Sequence, residues 1–180
     1  MGELHINSYK YFNKIILIGN MGVGKTTIGA AIAQKLNLPF HDTDDLFFNI
    51  LGIDGGEYIK NYGIEAFREA EKKLILNYWE NLSGVVSTGA GSWTIPEVRM
   101  ISKKDSLVVW LIADARTLAA RLSGSSRFLT KDIQDLYLFC SKQMNERNKY
   151  YEICDIKLIT DNLSKDKIVL NLLNIVEKYI

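Results

Sequence analysis

A glycine-rich segment near the start of this 180-residue chain constrains its fold more than any other feature. The sequence GNMGVGKT, residues 19–26, directly follows KIILI, a short β-branched run that is typical of a strand buried on both faces. Apolar residues then recur at helical spacing until Asn37 and Pro39 end the pattern. Because a glycine-rich loop between a strand and a helix turns backbone N–H groups toward one point, the segment predicts a phosphate-binding P-loop.

The side chains of this loop match the chemistry of nucleotide binding. Lys25 can supply positive charge to the β- and γ-phosphates, and the hydroxyl of Thr26 is an oxygen ligand of the kind that Mg²⁺ prefers. The predicted nucleotide site consists of Gly19, Asn20, Met21, Gly22, Val23, Gly24, Lys25, Thr26 and Thr27. A P-loop alone leaves a GTPase, an ATPase motor, a nucleotide kinase and a small-molecule kinase open.

The rest of the chain alternates between strand and helix patterns. Further strands are predicted at residues 84–88, 106–112 and 155–160, with helical patterns between them and again at residues 165–179. Alternation of this kind predicts an α/β fold of three layers, in which helices cover both faces of a mainly parallel sheet. No repeat or long linker interrupts the pattern, so we expect residues 1–180 to form a single domain.

Composition and charge narrow the class of partner. A net charge of +1 gives no electrostatic basis for binding nucleic acid or an anionic membrane, so we expect a small-molecule partner. The two cysteines, Cys140 and Cys154, favour buried thiols in the cytoplasm over a disulfide framework. No apolar run approaches the length of a transmembrane helix, and the absence of a heptad pattern favours a monomer.

Several motifs together, in their order and spacing, resemble the shikimate kinases. They are GNMGVGKT, the acidic triplet at residues 42–44, FREAE at residues 67–71, GAG at residues 89–91, and Arg147 ahead of Tyr150, Tyr151 and Glu152. The resemblance implies a P-loop fold like that of the nucleoside monophosphate kinases. It also implies transfer of a phosphoryl group from ATP, with Mg²⁺, to a hydroxyl of shikimate in chorismate and aromatic amino-acid biosynthesis.

The acidic triplet follows a strand predicted at residues 38–41, where open α/β proteins bind ligands. The resemblance implies that Asp42 and Thr26 hold hydrated Mg²⁺. It implies that Asp44 binds the substrate hydroxyl and serves as the base when that oxygen attacks. A solvated acidic turn, which Asp45 would extend, is the alternative.

Two arginines are candidates for binding the substrate carboxylate. Arg68 and Glu71 are three residues apart on a helix predicted at residues 64–79, so they share a face. The resemblance implies that Arg68 binds the carboxylate through its planar fork, that Glu71 orients this arginine, and that Arg147 is a second clamp. A surface ion pair and a solvated helix charge are the alternatives.

The loop at Gly89, Ala90 and Gly91 departs from the family pattern, which has three glycines. The resemblance implies backbone contact between this loop and the substrate. Alanine keeps the backbone N–H, but it is disfavoured if position 90 requires a positive φ.

A Ser- and Gly-rich stretch is predicted to be a mobile lid, roughly residues 122–135. Arg127 in this stretch is the candidate for stabilising charge on the γ-phosphate, with Lys25 and Asp44 as the other catalytic residues. Phe128 replaces the proline that is typical of the family. Arg121, just before the lid, is predicted to contact the nucleotide.

Other functions stay open at this stage. A related kinase acting on gluconate or a nucleoside monophosphate would keep the fold and the reaction, because Arg68 and Arg147 would also suit those anions. A catalytically impaired nucleotide-binding paralogue is suggested by Ala90 and by the altered lid. Lys25, Thr26 and the two site aspartates argue against that reading.

Overall fold

A computed structural model describes residues 12–124 and 133–179 of the chain. Five strands form one sheet with the order β2-β3-β1-β4-β5, and every neighbouring pair is parallel. The strands are β1 (Lys14–Ile18), β2 (Phe40–Asp42), β3 (Gly84–Ser87), β4 (Ser106–Ile112) and β5 (Ile156–Ile159). The predicted parallel α/β sheet is therefore confirmed.

Helices connect the strands and cover both faces of the sheet. They are α1 (Lys25–Leu36), α2 (Thr43–Leu51), α3 (Gly55–Tyr62), α4 (Ile64–Tyr78), α5 (Pro96–Asp105), α6 (Ala115–Leu122), α7 (Leu136–Tyr151) and α8 (Lys165–Val176). The predicted first strand and the strand at residues 106–112 match the structure throughout. The other predicted elements differ from the observed ones by a few residues at their ends.

The strand predicted at residues 38–41 begins and ends later in the structure than expected. Its end matters for the site, because Asp42 now belongs to the strand. Asn37 takes a left-handed conformation and ends α1. The N–H of Leu38 then donates to the carbonyl of Ala33, so this residue still belongs to the end of the helix. The strand consequently starts at Phe40 and includes Asp42 as its last residue.

The core lies on both sides of β1, whose five residues are all buried. Because successive strand residues point to opposite faces, Ile15 and Leu17 pack into one apolar cluster while Ile16 and Ile18 pack into another. The first cluster includes residues of α1 and α8, and the second includes residues from the α4 and α5 side. This arrangement gives the three layers that the sequence predicts.

The carboxyl ends of the strands open a cleft at one edge of the sheet. Strand β1 is central, with β3 and β2 on one side and β4 and β5 on the other. The loops that follow neighbouring strands run to opposite sides where the strand order reverses, which leaves a crevice between them. Open α/β proteins bind ligands in such crevices. The glycine-rich loop after β1 therefore lies between the loops that follow its neighbours.

Other sequence predictions have mixed outcomes. Cys140 is buried in α7 as predicted, whereas Cys154 is only half-buried in the turn before β5, and both are free thiols. Within the described ranges, no helix has the length and apolar character needed to cross a membrane. Arg127, Phe128 and the rest of residues 125–132 in the predicted lid lie outside the described residues.

Gly84 determines how closely β3 approaches the segment that leads into β2, and its replacement tests this packing. Gly84 has φ 70°, and an added Cβ would lie 2.4 Å from the carbonyl oxygen of Pro39. Gly52 has φ 69°, but no described atom lies within 4 Å of its added Cβ. Either change to alanine should cost about 1–2 kcal/mol in the free energy of unfolding, because both place a Cβ in the left-handed region.

We expect Gly84→Ala to cost about 1–3 kcal/mol more than Gly52→Ala, because only Gly84 also overlaps the backbone. Urea denaturation of the two variants measures the difference. Equal losses of stability would contradict the close approach at Gly84.

Candidate active site

The glycine-rich loop presents the start of α1 to the cleft. Gly24 precedes the helix with φ 104°, and no side chain of the described residues caps the helix there. The first N–H groups of α1 are thus available to an anion, which the helix dipole also favours. The ammonium group of Lys25 is buried and donates to the carbonyls of Gly19 (2.9 Å) and Asn20 (3.2 Å), so its charge lies over the loop.

A cleft of about 230 Å³ joins this loop to the ends of β2 and β3. Its walls contain loop residues, acidic residues and the base of the predicted lid. They are Met21, Gly22, Gly24, Lys25, Thr26, Thr27, Asp42, Asp44, Ser87, Thr88, Ala90, Arg121 and Leu122. Phosphate-binding groups and carboxylates therefore face the same space.

Thr26 and Asp42 form a pair of oxygen ligands at the floor of this cleft. The hydroxyl of Thr26 donates to Oδ2 of Asp42 at 2.7 Å, and the other carboxylate oxygen accepts from the N–H of Asp44 at 2.9 Å. Asp42 is buried, so its orientation is fixed by these two contacts. Among the described residues no cluster of three or more acidic, His or Cys side chains could hold a metal. The pair fits Mg²⁺, which commonly takes one or two protein oxygens with water and phosphate oxygens.

Asp44 lies in the first turn of α2 and lines the cleft. Its Oδ1 atom is 2.9 Å from the position that a Cβ on Gly89 would occupy, so the carboxylate lies against the loop after β3. Asp45 is exposed and belongs to the solvated side of the same turn. Asp44 is exposed as well, but of the two only Asp44 lines the cleft, and its site role stays a prediction.

A buried carboxylate orients Arg68. Nη1 of Arg68 donates to Oε2 of Glu71 at 2.5 Å, and Oε1 of Glu71 accepts from the hydroxyl of Ser92 at 2.7 Å. The Glu71 side chain is only 5% exposed, so the alternative of a surface ion pair is wrong for this residue. Gly91 lies directly against the guanidinium, since an added Cβ would be 2.1 Å from Nη2. Only glycine leaves room for Arg68 in this position.

Arg147 lies half-buried on α7 and shares its surroundings with Arg68. Burial lowers the pKa of Arg147, the neighbouring Tyr151 raises it, and the positive charge of Arg68 lowers it again. Two guanidinium groups close enough to affect each other favour an anion between them. Such a pair would bind a carboxylate by charge-assisted hydrogen bonds.

Arg68 also borders a second cleft, about 450 Å³, between α4 and the start of α5. That cleft is lined by the carboxylates of Glu65, Glu69 and Glu97. Its Lys72 already contacts Glu69 at 2.7 Å and Glu97 at 3.7 Å. An added anion there would meet these acidic side chains. We therefore expect an anion to contact Arg68 on the face near Arg147.

The loop after β3 accommodates Ala90 without strain. Among the described non-glycine residues, only Asn37 and Asn162 have a left-handed φ, so position 90 does not require glycine. The N–H of Gly89 donates to the hydroxyl of Thr43 at 2.8 Å, and the carbonyl of Ala90 accepts from the hydroxyl of Tyr151. The loop is thus held from two sides, with Ala90 lining the cleft.

Arg121 bridges the glycine-rich loop and the end of β5. Its guanidinium donates to the carbonyl of Val23 (3.2 Å) and to both the hydroxyl (3.2 Å) and the carbonyl (3.1 Å) of Thr160. It also lines the cleft, so its location suits the predicted nucleotide contact. That contact stays a prediction, as does the role of Arg127.

Sequence reasoning missed several residues that hold the site together. Ser92 positions Glu71, and Thr43 positions Gly89. The Asn20 side chain donates to Asn148 on α7 at 3.1 Å. The spacing of Tyr151, four residues after Arg147, could have suggested a shared helix face. No sequence signal points to the partners of the other residues.

Comparison with known proteins gives consistent relatives. The model of the family described as "Shikimate kinase" matches residues 21–177. A shikimate kinase of Bartonella henselae is 30% identical over 166 residues, which cover 92% of this chain and 79% of that protein. A shikimate kinase of Mesorhizobium japonicum is 31% identical over 160 residues, which cover 89% and 79% of the two chains.

Solved structures share the fold. A shikimate kinase from Bacteroides thetaiotaomicron superimposes with a TM-score of 0.84 at 27% identity, covering 91% of this chain and 98% of that one. A shikimate kinase from Acinetobacter baumannii, solved in complex with shikimate, gives a TM-score of 0.84 at 21% identity and covers 94% and 96%. A gluconokinase from Sinorhizobium meliloti gives 0.60 at 19% identity, with coverage of 93% and 96%. The last two similarities concern the fold alone.

Replacing each of the two site aspartates should affect Mg²⁺-dependent binding of ATP differently. Asp42→Asn should weaken Mg²⁺-dependent binding of ATP by about 10- to 100-fold, the usual effect of disturbing a metal's supporting ligands. Added Mg²⁺ should restore it by mass action. Asp44→Asn should leave this binding nearly unchanged, because Asp44 lies on the acceptor side.

Calorimetric titration of ATP at several Mg²⁺ concentrations measures both effects. Both substitutions keep the size of the side chain, which makes each variant a control for the other. If Mg²⁺ restores Asp44→Asn and not Asp42→Asn, the two roles are reversed.

Proposed function

The chain belongs to the shikimate kinase family, and we propose that it transfers the γ-phosphoryl group of ATP to a hydroxyl of shikimate, giving shikimate 3-phosphate and ADP. This reaction places the enzyme in chorismate and aromatic amino-acid biosynthesis. The observation that carries the proposal is the shared cleft, where Lys25 and Thr26 of the glycine-rich loop face Asp44 and the loop at Ala90.

The glycine-rich loop and its neighbours hold the nucleotide. The N–H groups at the start of α1 and the ammonium group of Lys25 bind the β- and γ-phosphates. Thr26 and Asp42 would hold Mg²⁺, which supplies charge neutralisation at the phosphate oxygens when it is bound. Arg121 is proposed to contact the nucleotide. Arg127, whose position lies outside the described residues, is proposed to stabilise the charge that spreads over the transferred group.

Asp44 acts on the acceptor hydroxyl. Its carboxylate accepts a hydrogen bond from that hydroxyl and takes the proton as the oxygen bonds to the γ-phosphorus and the bond to the β-phosphate oxygen breaks. The backbone loop at Gly89, Ala90 and Gly91 lies beside this carboxylate and contacts the ring of the acceptor. Chemistry in such sites depends mainly on positioning, which the fixed loop supplies.

Arg68 and Arg147 select an acid. Their guanidinium groups bind the shikimate carboxylate, while Glu71 holds Arg68 in one orientation. A neutral polyol offers these two guanidinium groups no carboxylate, so it would lose their charge-assisted hydrogen bonds. The family relationship favours shikimate over gluconate or a nucleoside monophosphate, and it gives no support to an impaired paralogue.

The remaining proposals concern the molecule as a whole. We propose a single kinase domain that acts as a monomer in the cytoplasm, with a lid at roughly residues 122–135. The single sheet and the free thiols of Cys140 and Cys154 support this reading. Exclusion of water by a lid would suppress hydrolysis of ATP.

A comparison of acceptors tests the proposed reaction. With Mg²⁺ and ATP present, shikimate should exceed gluconate and nucleoside monophosphates by at least about 100-fold in kcat/KM, since a site with fixed polar groups rejects acceptors that leave them unpaired. Formation of ADP, followed by a coupled assay, and detection of the phosphorylated product measure this. Lys25→Ala is the control for activity from contaminants. Faster turnover of gluconate or of a nucleotide would overturn the assignment.

A further inference from the structure

Two hydrogen bonds join the end of α7 to the loop after β3. The hydroxyl of Tyr151 donates to the carbonyl of Ala90 at 2.5 Å, and Nε1 of Trp93 donates to the carbonyl of Tyr150 at 3.1 Å. Tyr151 and Trp93 are both fully buried. The two bonds run in opposite directions, so the helix end and the loop have a fixed relative position.

The hydroxyl of Tyr151 also contacts the second arginine of the site. Arg147 precedes Tyr151 by four residues on α7, which places both side chains on one face. The guanidinium of Arg147 lies close enough to the hydroxyl of Tyr151 for each group to shift the pKa of the other. Because the hydroxyl proton is donated to Ala90, the Tyr151 oxygen keeps a lone pair that can accept from the guanidinium. Burial raises the pKa of Tyr151 to about 12, so the hydroxyl keeps this proton at neutral pH.

We propose that Tyr151 is a positioning residue, which fixes the guanidinium of Arg147 to the backbone of the acceptor loop at Ala90. The inference rests on the proposed function, since it concerns how the shikimate carboxylate is placed. Arg147 lies on α7, whereas Ala90 lies in the loop that follows β3. A hydroxyl that donates to Ala90 and lies beside the Arg147 guanidinium would set the distance between the carboxylate site and the cleft.

The contact also accounts for alanine at position 90. Tyr151 recognises the carbonyl of this residue and not its side chain. The backbone orientation of the loop is therefore maintained by α7 and does not depend on glycine at that position.

A merely structural role for Tyr151 would lie in its ring, which packs 5.8 Å from the ring of Trp110. Tyr151→Phe keeps this packing and removes only the hydroxyl. Tyr150→Phe is the matched control. The ring of Tyr150 contacts Arg99 and Lys149, and its carbonyl accepts from Trp93, so phenylalanine keeps these contacts.

The test is the change in KM for each substrate. Tyr151→Phe should raise KM for shikimate by about 10-fold, the scale of one hydrogen bond to a charged group, while KM for ATP stays within about 2-fold. Tyr150→Phe should leave both values unchanged. Tyr151→Phe is then repeated in an enzyme that already carries Arg147→Ala. In that enzyme it should no longer change KM for shikimate, because the two residues act together.

The outcomes separate this inference from the proposed function. If the wild-type enzyme does not phosphorylate shikimate, the proposed function fails. If it does, an unchanged KM in Tyr151→Phe, equal changes in both KM values, or the same effect with and without Arg147 overturns the role of Tyr151. Urea denaturation checks that each variant is folded. A loss of stability without a KM difference would mean that the hydroxyl only supports the core.

Discussion

The central position of β1 determines where every part of the site lies. This strand pairs in parallel with β3 on one side and β4 on the other, and all of its residues are buried. Parallel pairing brings the carboxyl ends of the three strands to one edge. The glycine-rich loop therefore emerges beside the loop of Ala90, and β2 brings Asp42 to the same edge through its pairing with β3. Binding of two substrates follows from this one geometric constraint.

Charge in the site is local and each cation is held by the fold. The chain carries a net charge of only +1, yet Lys25 lines the cleft, and Arg68 lies against Gly91 of the loop after β3 and close to Arg147. Backbone carbonyls hold Lys25, Glu71 holds Arg68, and Tyr151 contacts Arg147. Groups fixed before the substrates bind need little reorganisation during phosphoryl transfer. This preorganisation explains how a nearly neutral protein can bind two anionic substrates.

Local patterns in the sequence predicted the fold and the glycine-rich loop, because strand burial and helix periodicity are properties of neighbouring residues. The bounds of β2 were less accurate, since a hydrogen bond that caps the end of α1 still involves Leu38. Contacts between residues that are far apart in the sequence could not be predicted from local sequence patterns. Ser92 and Glu71 are 21 residues apart, and Tyr151 and Ala90 are 61 apart. The backbone conformation of Ala90 likewise depends on packing that the sequence does not reveal.

The central claim is that Arg68 binds the substrate carboxylate. The most direct test compares two enzymes, wild type and Arg68→Lys, with two acceptors, one of which lacks the carboxylate charge. Shikimate and its uncharged primary amide have nearly the same shape, so the comparison isolates the charge. For the wild-type enzyme, kcat/KM should fall by about 30-fold or more with the amide, as expected when one member of a buried charge pair is lost. Arg68→Lys should lower kcat/KM strongly for shikimate and little for the amide, because lysine lacks the planar fork that binds a carboxylate. An equal loss for both acceptors would contradict binding of the carboxylate by Arg68.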